Sequence, residues 1–178
     1  MEVVRLINTK QLKDLVIEPT LMEMGPEFQS PYAVALLVGT AAQESRMGEF
    51  LVQLGGGPAL GIFQMEPDTY YDIWDHFIDY RPHIQRMIVR VCPGDYGHRS
   101  MRQPGGEDLM RVLMAPDPKR LVYDLRFATL MARLHYYRVS KPLPKTPQGY
   151  AAYWKLYYNT EKGAGTQAEF LHNWGQFC

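Results

Sequence analysis

Residues 41–69, AAQESRMGEFLVQLGGGPALGIFQMEPDT, place a carboxylate, a glycine-rich corner and a glutamine-bearing apolar segment in close succession. Glu44 is the centre of this stretch. The run before it, PYAVALLVGTAAQES, begins at Pro31 and is almost wholly apolar, and proline suits the first turn of a helix. Tyr32, Ala33, Leu36, Leu37, Thr40 and Ala41 recur at three- and four-residue spacing, and Glu44 continues their row. The pattern predicts a buried helix that delivers Glu44 at its C-terminal end. Apolar surroundings and a helix C-terminus both disfavour the anion, so Glu44 is expected to keep its proton more readily than a free glutamate. A general acid working near neutral pH needs that property.

After Glu44 the period changes. Phe50 to Leu54, a Gly55-Gly56-Gly57-Pro58 corner and Ala59 to Met65 predict a short β-hairpin or paired extended segments, and Pro67 opens another helix. Glycines at such a corner allow backbone to approach a ligand or another strand, as Gly61 would within the second strand. Each feature also has a plain structural explanation. A glutamate at a helix end is commonly just solvated, a tyrosine such as Tyr158 commonly sits in a core, and Asn159 suits a turn or helix end.

Outward from this centre, residues 1–24 alternate apolar and charged positions at helical spacing, with Asn8 or Thr9 as a cap and Pro19 able to start a second helix. Tyr70, Ile73, Trp74 and Phe77 mark one amphipathic helix, and Ile84, Met87, Ile88 and Val91 mark the next. CPGDYGHRSMRQPGGED, from Cys92, is expected to be loop, and Glu107 to Met114 a short helix stopped by Pro116-Asp117-Pro118. LVYDLRFATLMARLHYYRV, from Leu121, is the longest clear amphipathic helix. A stiff SKPLPKTPQG connector leads to an aromatic-rich helix over Tyr150 to Tyr158, and Thr166 can cap a last one through Trp174. The aromatics of this last third are core by default, although Trp and Tyr faces also suit hexose rings.

The chain has 178 residues, enough for one domain, residues 1–178, with a sizeable core. Lys plus Arg number 19 and so do Asp plus Glu, so no global field attracts the chain to nucleic acid. Cys92 and Cys178 make neither a disulfide framework nor a metal site and are expected to be free thiols. His76, His83, His98 and His135 lack the close spacing of ligands, so neither metal nor cofactor is expected. The N-terminus has scattered charges and no apolar stretch long enough for a signal peptide or membrane span, so no membrane insertion is expected.

Glu44-Ser45 and GIFQMEPDT from Gly61 to Thr69 resemble the E-S and G-L-M-Q-x-x-P-x-T signatures of soluble lytic transglycosylases and goose-type lysozymes. Tyr157-Tyr158-Asn159 followed by Gly163-Ala164-Gly165 resembles their Y-N-A-G-x-G segment in divergent form. The wording of GTAAQES, GGGPALGIFQMEP and YYNTEKGAGT is similar to lysozyme-like proteins of tailed bacteriophages. Three short motifs carry the resemblance, and the middle of the chain contributes nothing to it. It implies a mainly α, single lysozyme-like domain of about eight helices with one small β-hairpin beside a catalytic cleft.

The implied activity is cleavage of the β-1,4 bond between MurNAc and GlcNAc in peptidoglycan glycan strands, with Glu44 as general acid and base. Gln64, Phe63, Glu66, Tyr158 and Asn159 would line the substrate groove. The chain is expected to act as a monomer on the cell wall from the host cytoplasm or a phage virion. Hydrolysis needs a second carboxylate, for which Glu49, Glu66 and Asp68 are nearby in sequence. A lytic transglycosylase manages with one acid, and the absence of Asp between Glu44 and Gly61 favours that reaction. The alternative is a non-catalytic peptidoglycan-binding or structural virion protein on the same fold.

Overall fold

A hydrophobic helix needs a cap, a buried face and neighbours small enough to approach it, and the segment from Pro31 has all three. In the computed structural model, which describes residues 7–102, 109–159 and 163–178, it forms a long helix close to the centre of the core. Helices α1 (Thr9–Leu12) and α2 (Glu18–Met24) precede it, joined by a π-helical turn over Lys13–Ile17. Pro19 lacks the N–H a regular helix requires, and the chain reaches it through that wider turn instead of stopping. Asn8 caps α1 by accepting from Gln11 N at 3.1 Å.

The central helix is α3 (Pro31–Ser45). Ser30 accepts from Ala33 N at 3.0 Å and Pro31 occupies the first turn. Leu36, Leu37, Thr40, Ala41 and Ala42 are buried, and Arg46 ends the helix in a left-handed conformation with φ 51°. After α3 come α4 (Pro67–Ile73), a π-helical turn over Trp74–Ile78, and α5 (Pro82–Val91). Strands β1 (His98–Arg102) and β2 (Leu109–Leu113) pair antiparallel, with His98 opposite Leu113 and Arg102 opposite Leu109.

The chain then returns to helix: α6 (Arg120–Tyr123), α7 (Leu125–Tyr137), α8 (Pro147–Trp154), a π-helical turn over Lys155–Asn159, and α9 (Gln167–Phe177). The predicted single helix from Leu121 is interrupted at Asp124, whose carboxylate caps α7 by accepting from Phe127 N at 3.0 Å. Thr166 and Glu169 form a reciprocal capping box on α9. Both cysteines are free, Cys92 buried and Cys178 exposed.

The fold is mainly helical with one small hairpin, but that hairpin is not where the sequence pattern puts it. Over 50–65 only isolated bridges form, Val52 with Leu60 and Leu60 with Met65, so the expected hairpin there is replaced by tight turns. The real hairpin occupies part of the expected loop and of the expected helix at Glu107 to Met114; Glu107 itself lies outside the described residues. Val112 and Leu113 are buried, and the Gln85 amide on α5 accepts from Leu113 N at 3.0 Å. Arg99 on β1 bridges Asp75 and the buried Asp79. These anchors bind β2 and β1 to neighbouring helices, and tertiary pairing overrides the helical propensity of LMRVL.

Helix α3 packs against α7, α8 and most extensively α9. Thr40 Oγ1 donates to Leu36 O at 2.8 Å and so accepts the Tyr136 hydroxyl of α7, also at 2.8 Å. Gly39 is the point of closest approach to α9: a Cβ there would lie 2.6 Å from the Phe170 ring and 2.8 Å from Trp174. Gly39→Ala is therefore expected to destabilise the fold by about 1–3 kcal/mol through overpacking, despite the better helix propensity of alanine. Urea denaturation checks this, and an unchanged or raised midpoint would contradict the close packing of α3 on α9.

Candidate active site

The end of α3 is fixed by the residue after the candidate acid. Ser45 Oγ donates to Ile62 O at 2.6 Å and accepts from Gly48 N at 2.9 Å. One buried hydroxyl thus ties the helix C-terminus to the segment that follows. That segment is a tight turn in which Leu60 and Met65 exchange both backbone hydrogen bonds at 3.0 Å. Gly61 sits at φ 76°, and its nitrogen donates to Leu51 O at 2.8 Å. Gln64 adopts φ 44°, uncommon for a side-chain-bearing residue, and its Nε2 returns a 2.8 Å hydrogen bond to Gly61 O. With one of its two side-chain N–H groups engaged, Gln64 keeps a second donor and its amide oxygen as an acceptor.

Glu44, Gln64, Glu66, Thr69, Tyr158 and Asn159 come together along a cleft of about 620 Å³. Met65, His135 and Gly163 to Gly165 complete much of its wall. Glu66 is exposed at the start of α4. Tyr158 spans to the turn by donating its hydroxyl to Phe63 O at 2.8 Å. Asn159 Oδ1 accepts from Lys155 Nζ at 2.8 Å, and the same ammonium donates to Gly163 O at 2.8 Å, closing the segment behind it. Phe63 does not line the cleft: it is 1% exposed and belongs to the core, and its carbonyl accepts from the Tyr158 hydroxyl. In an apolar turn the large aromatic gains most by turning inward.

Burial raises the Glu44 carboxyl from its ordinary 4.5 to about 7; the Trp154 hydrogen bond opposes this and the nearby Glu66 carboxylate adds to it. Trp154 Nε1 donates to Glu44 Oε1 at 2.7 Å, and among the described residues no other hydrogen bond reaches the carboxyl. One oxygen is therefore held and the other remains available to carry a proton. Trp154 lies in the aromatic-rich segment from Tyr150 to Tyr158, and its role here is not legible in the sequence because the two residues are 110 positions apart. The usable signal was general: a buried indole N–H needs an acceptor.

His135 is a wall residue. Burial, with the Arg138 charge beside it, pushes its imidazole down to about 4, and its Nδ1 accepts from Arg138 Nη2 at 3.0 Å. Neutral near pH 7 and occupied by Arg138, it packs edge-on against Tyr158 with centroids 4.9 Å apart. Of the other carboxylates near Glu44 in sequence, Glu49 lines an adjoining cavity and Asp68 lines neither. That cavity, about 1120 Å³, lies alongside α9 and shares Phe50, Leu54, Ala164 and Gly165 with the cleft, so the two adjoin. Among the described residues no cluster of His, Cys, Asp and Glu could hold a metal ion, and no helix is long and apolar enough to cross a membrane.

Comparison of the chain with protein-family models, with curated proteins and with solved structures finds no match.

Proposed function

We propose that this protein cleaves the glycosidic bond between MurNAc and GlcNAc in peptidoglycan strands, with Glu44 delivering a proton to the leaving oxygen. The observation that carries the reading is the Glu44 carboxyl itself, held at one oxygen by Trp154, raised to about 7 and set in a polar-walled cleft. Such a group is protonated enough near neutral pH to act as acid, and basic enough afterwards to take a proton back. The likeness of Glu44-Ser45, Gly61 to Thr69 and Tyr157 to Gly165 to the signatures of lytic transglycosylases supports the same chemistry. A second cavity adjoining the cleft and sharing part of its wall suits a polymer better than a small substrate.

Glu44 can then act as base toward a hydroxyl of the same sugar, leaving an anhydro end, which requires no second carboxylate. Hydrolysis would need one, and among the described residues Glu66 is the other carboxylate that lines the cleft. Mass spectrometry of soluble fragments released from purified peptidoglycan tests the reading. Anhydro-muramyl ends identify a transglycosylase, reducing ends a hydrolase served by Glu66, and no release above buffer removes the enzymatic reading in favour of a non-catalytic wall or virion component.

The acid must be protonated to act, so kcat/KM on soluble glycan strands is expected to fall as pH rises through about 7. The Trp154 hydrogen bond lowers the Glu44 value, so Trp154→Phe should move that limb to higher pH as well as slow the reaction. A limb that stays in place would separate Trp154 from the acid.

A further inference from the structure

On the face formed by α5 and the hairpin, three basic side chains converge that the cleft does not use. Arg86 of α5, Arg111 of β2 and His98 of β1 are exposed and line a cavity of about 370 Å³, with Val89 and Leu113 supplying apolar wall. Among the described residues, no carboxylate lines it. The strand register gives His98, Arg102 and Arg111 the same side of the hairpin, because directly opposed residues and alternate residues share a face.

These arginines differ from most others in the chain. Arg99, Arg120, Arg126 and Arg138 are ion-paired, and Arg81, Arg90 and Arg133 bond to backbone carbonyls. Among the described residues, Arg86 and Arg111 have neither an ion pair nor a side-chain hydrogen bond. The chain's net charge is zero, so the cluster is not the overflow of a basic protein. The cavity is also held in shape. Gln85 accepts from Leu113 N at 3.0 Å and donates to Ile78 O and Asp79 O at 3.2 and 3.1 Å, fixing the hairpin to α5.

Two guanidinium groups around one concavity repel one another unless an anion lies between them. The planar fork of arginine matches phosphate oxygens in pairs. We propose that this cavity binds the phosphate group of a phosphorylated ligand, with Arg86 and Arg111 as its clamps, His98 at the rim, and Val89 and Leu113 against the organic part. The site is independent of the Glu44 cleft and of the reaction assigned there.

NMR titration of the full chain tests it, using inorganic phosphate, glycerol 3-phosphate and vesicles of phosphatidylglycerol, with phosphatidylcholine vesicles as the uncharged control. Saturable shifts at His98 and Arg111 are expected, tighter for glycerol 3-phosphate than for phosphate. The exposed double variant Arg86→Gln/Arg111→Gln should keep its melting temperature and bind about tenfold more weakly or worse. Response to the soluble compounds assigns a free phosphorylated ligand, and response to phosphatidylglycerol vesicles alone assigns a lipid headgroup; both uphold the phosphate site. Absence of saturable binding to all three, or unchanged affinity in the double variant, overturns it.

Discussion

Glu44→Gln is expected to lower the rate of glycan cleavage by about 10³-fold while leaving the protein folded. The substitution keeps the shape and the acceptor for Trp154 Nε1, so the 2.7 Å hydrogen bond survives and only the transferable proton is removed. Fragment release from purified peptidoglycan, followed beside circular dichroism, reads both halves of the expectation. A variant as active as wild type would exclude Glu44 as the acid.

The same substitution carries a stability signature of definite sign. Burial raises the folded value to about 7, above the ordinary 4.5 of the unfolded chain. The stabilising contribution of the protonated carboxyl is therefore complete below about 4.5 and lost as pH rises through about 7. The loss is at most about 3.5 kcal/mol at about 1.4 kcal/mol per pH unit of difference. Glutamine has no charge to bury. The melting temperature of Glu44→Gln should thus rise relative to wild type between pH 5 and pH 8, and a difference independent of pH would contradict the buried carboxyl.

Gly61→Ala should be the most damaging small substitution in the tight turn. A Cβ at Gly61 would lie 2.2 Å from the backbone oxygen of Leu121, on α6, and the residue's φ of 76° already disfavours any side chain. Left-handed backbone costs about 1–2 kcal/mol and the clash about 1–3 more, so a loss of about 2–5 kcal/mol is expected in urea denaturation. Gly55 and Gly56 provide the control. Their φ values are 81° and 82°, but nothing lies within 4 Å of an added Cβ, so alanine there should cost only the backbone contribution. Equal losses at Gly61 and Gly55 would mean that Leu121 does not bear on the turn. Any Gly61→Ala protein that still folds should also cleave poorly, since the shifted turn carries Gln64.

Helix α3 and the position of Glu44 were legible because one proline, one apolar run and one periodic row agree about them. The residues around the cleft were legible only in part. Gln64, Glu66, Tyr158 and Asn159 do meet at its wall, whereas Phe63, adjacent to Gln64, turns into the core. Neighbours in an irregular turn need not share a direction, so sequence adjacency said little about it. The hairpin was misplaced for a related reason. Alternation and glycines near 50–65 resemble strand and turn, but Pro58 and the left-handed Gly55, Gly56, Gly61 and Gln64 leave no run of paired residues. β1 and β2 contain arginines on both faces, and they are held by α5 and by the Asp75–Arg99–Asp79 contacts, none of which local pattern encodes.

The π-helical turn over Lys155–Asn159 separates two tasks along one continuous helical rod. Tyr150, Ala151 and Trp154 on α8 are buried before the turn, and Tyr158 and Asn159 reach the cleft within it. A π turn spans one residue more than an α turn, and each residue of an α-helix advances the side chains by about 100°. Deleting a single codon there would re-aim the cleft wall by roughly that angle while Trp154 kept its grip on Glu44. Insertions and deletions, more than substitutions, are then the inexpensive route by which descendants of this chain could reshape the cleft without disturbing Glu44.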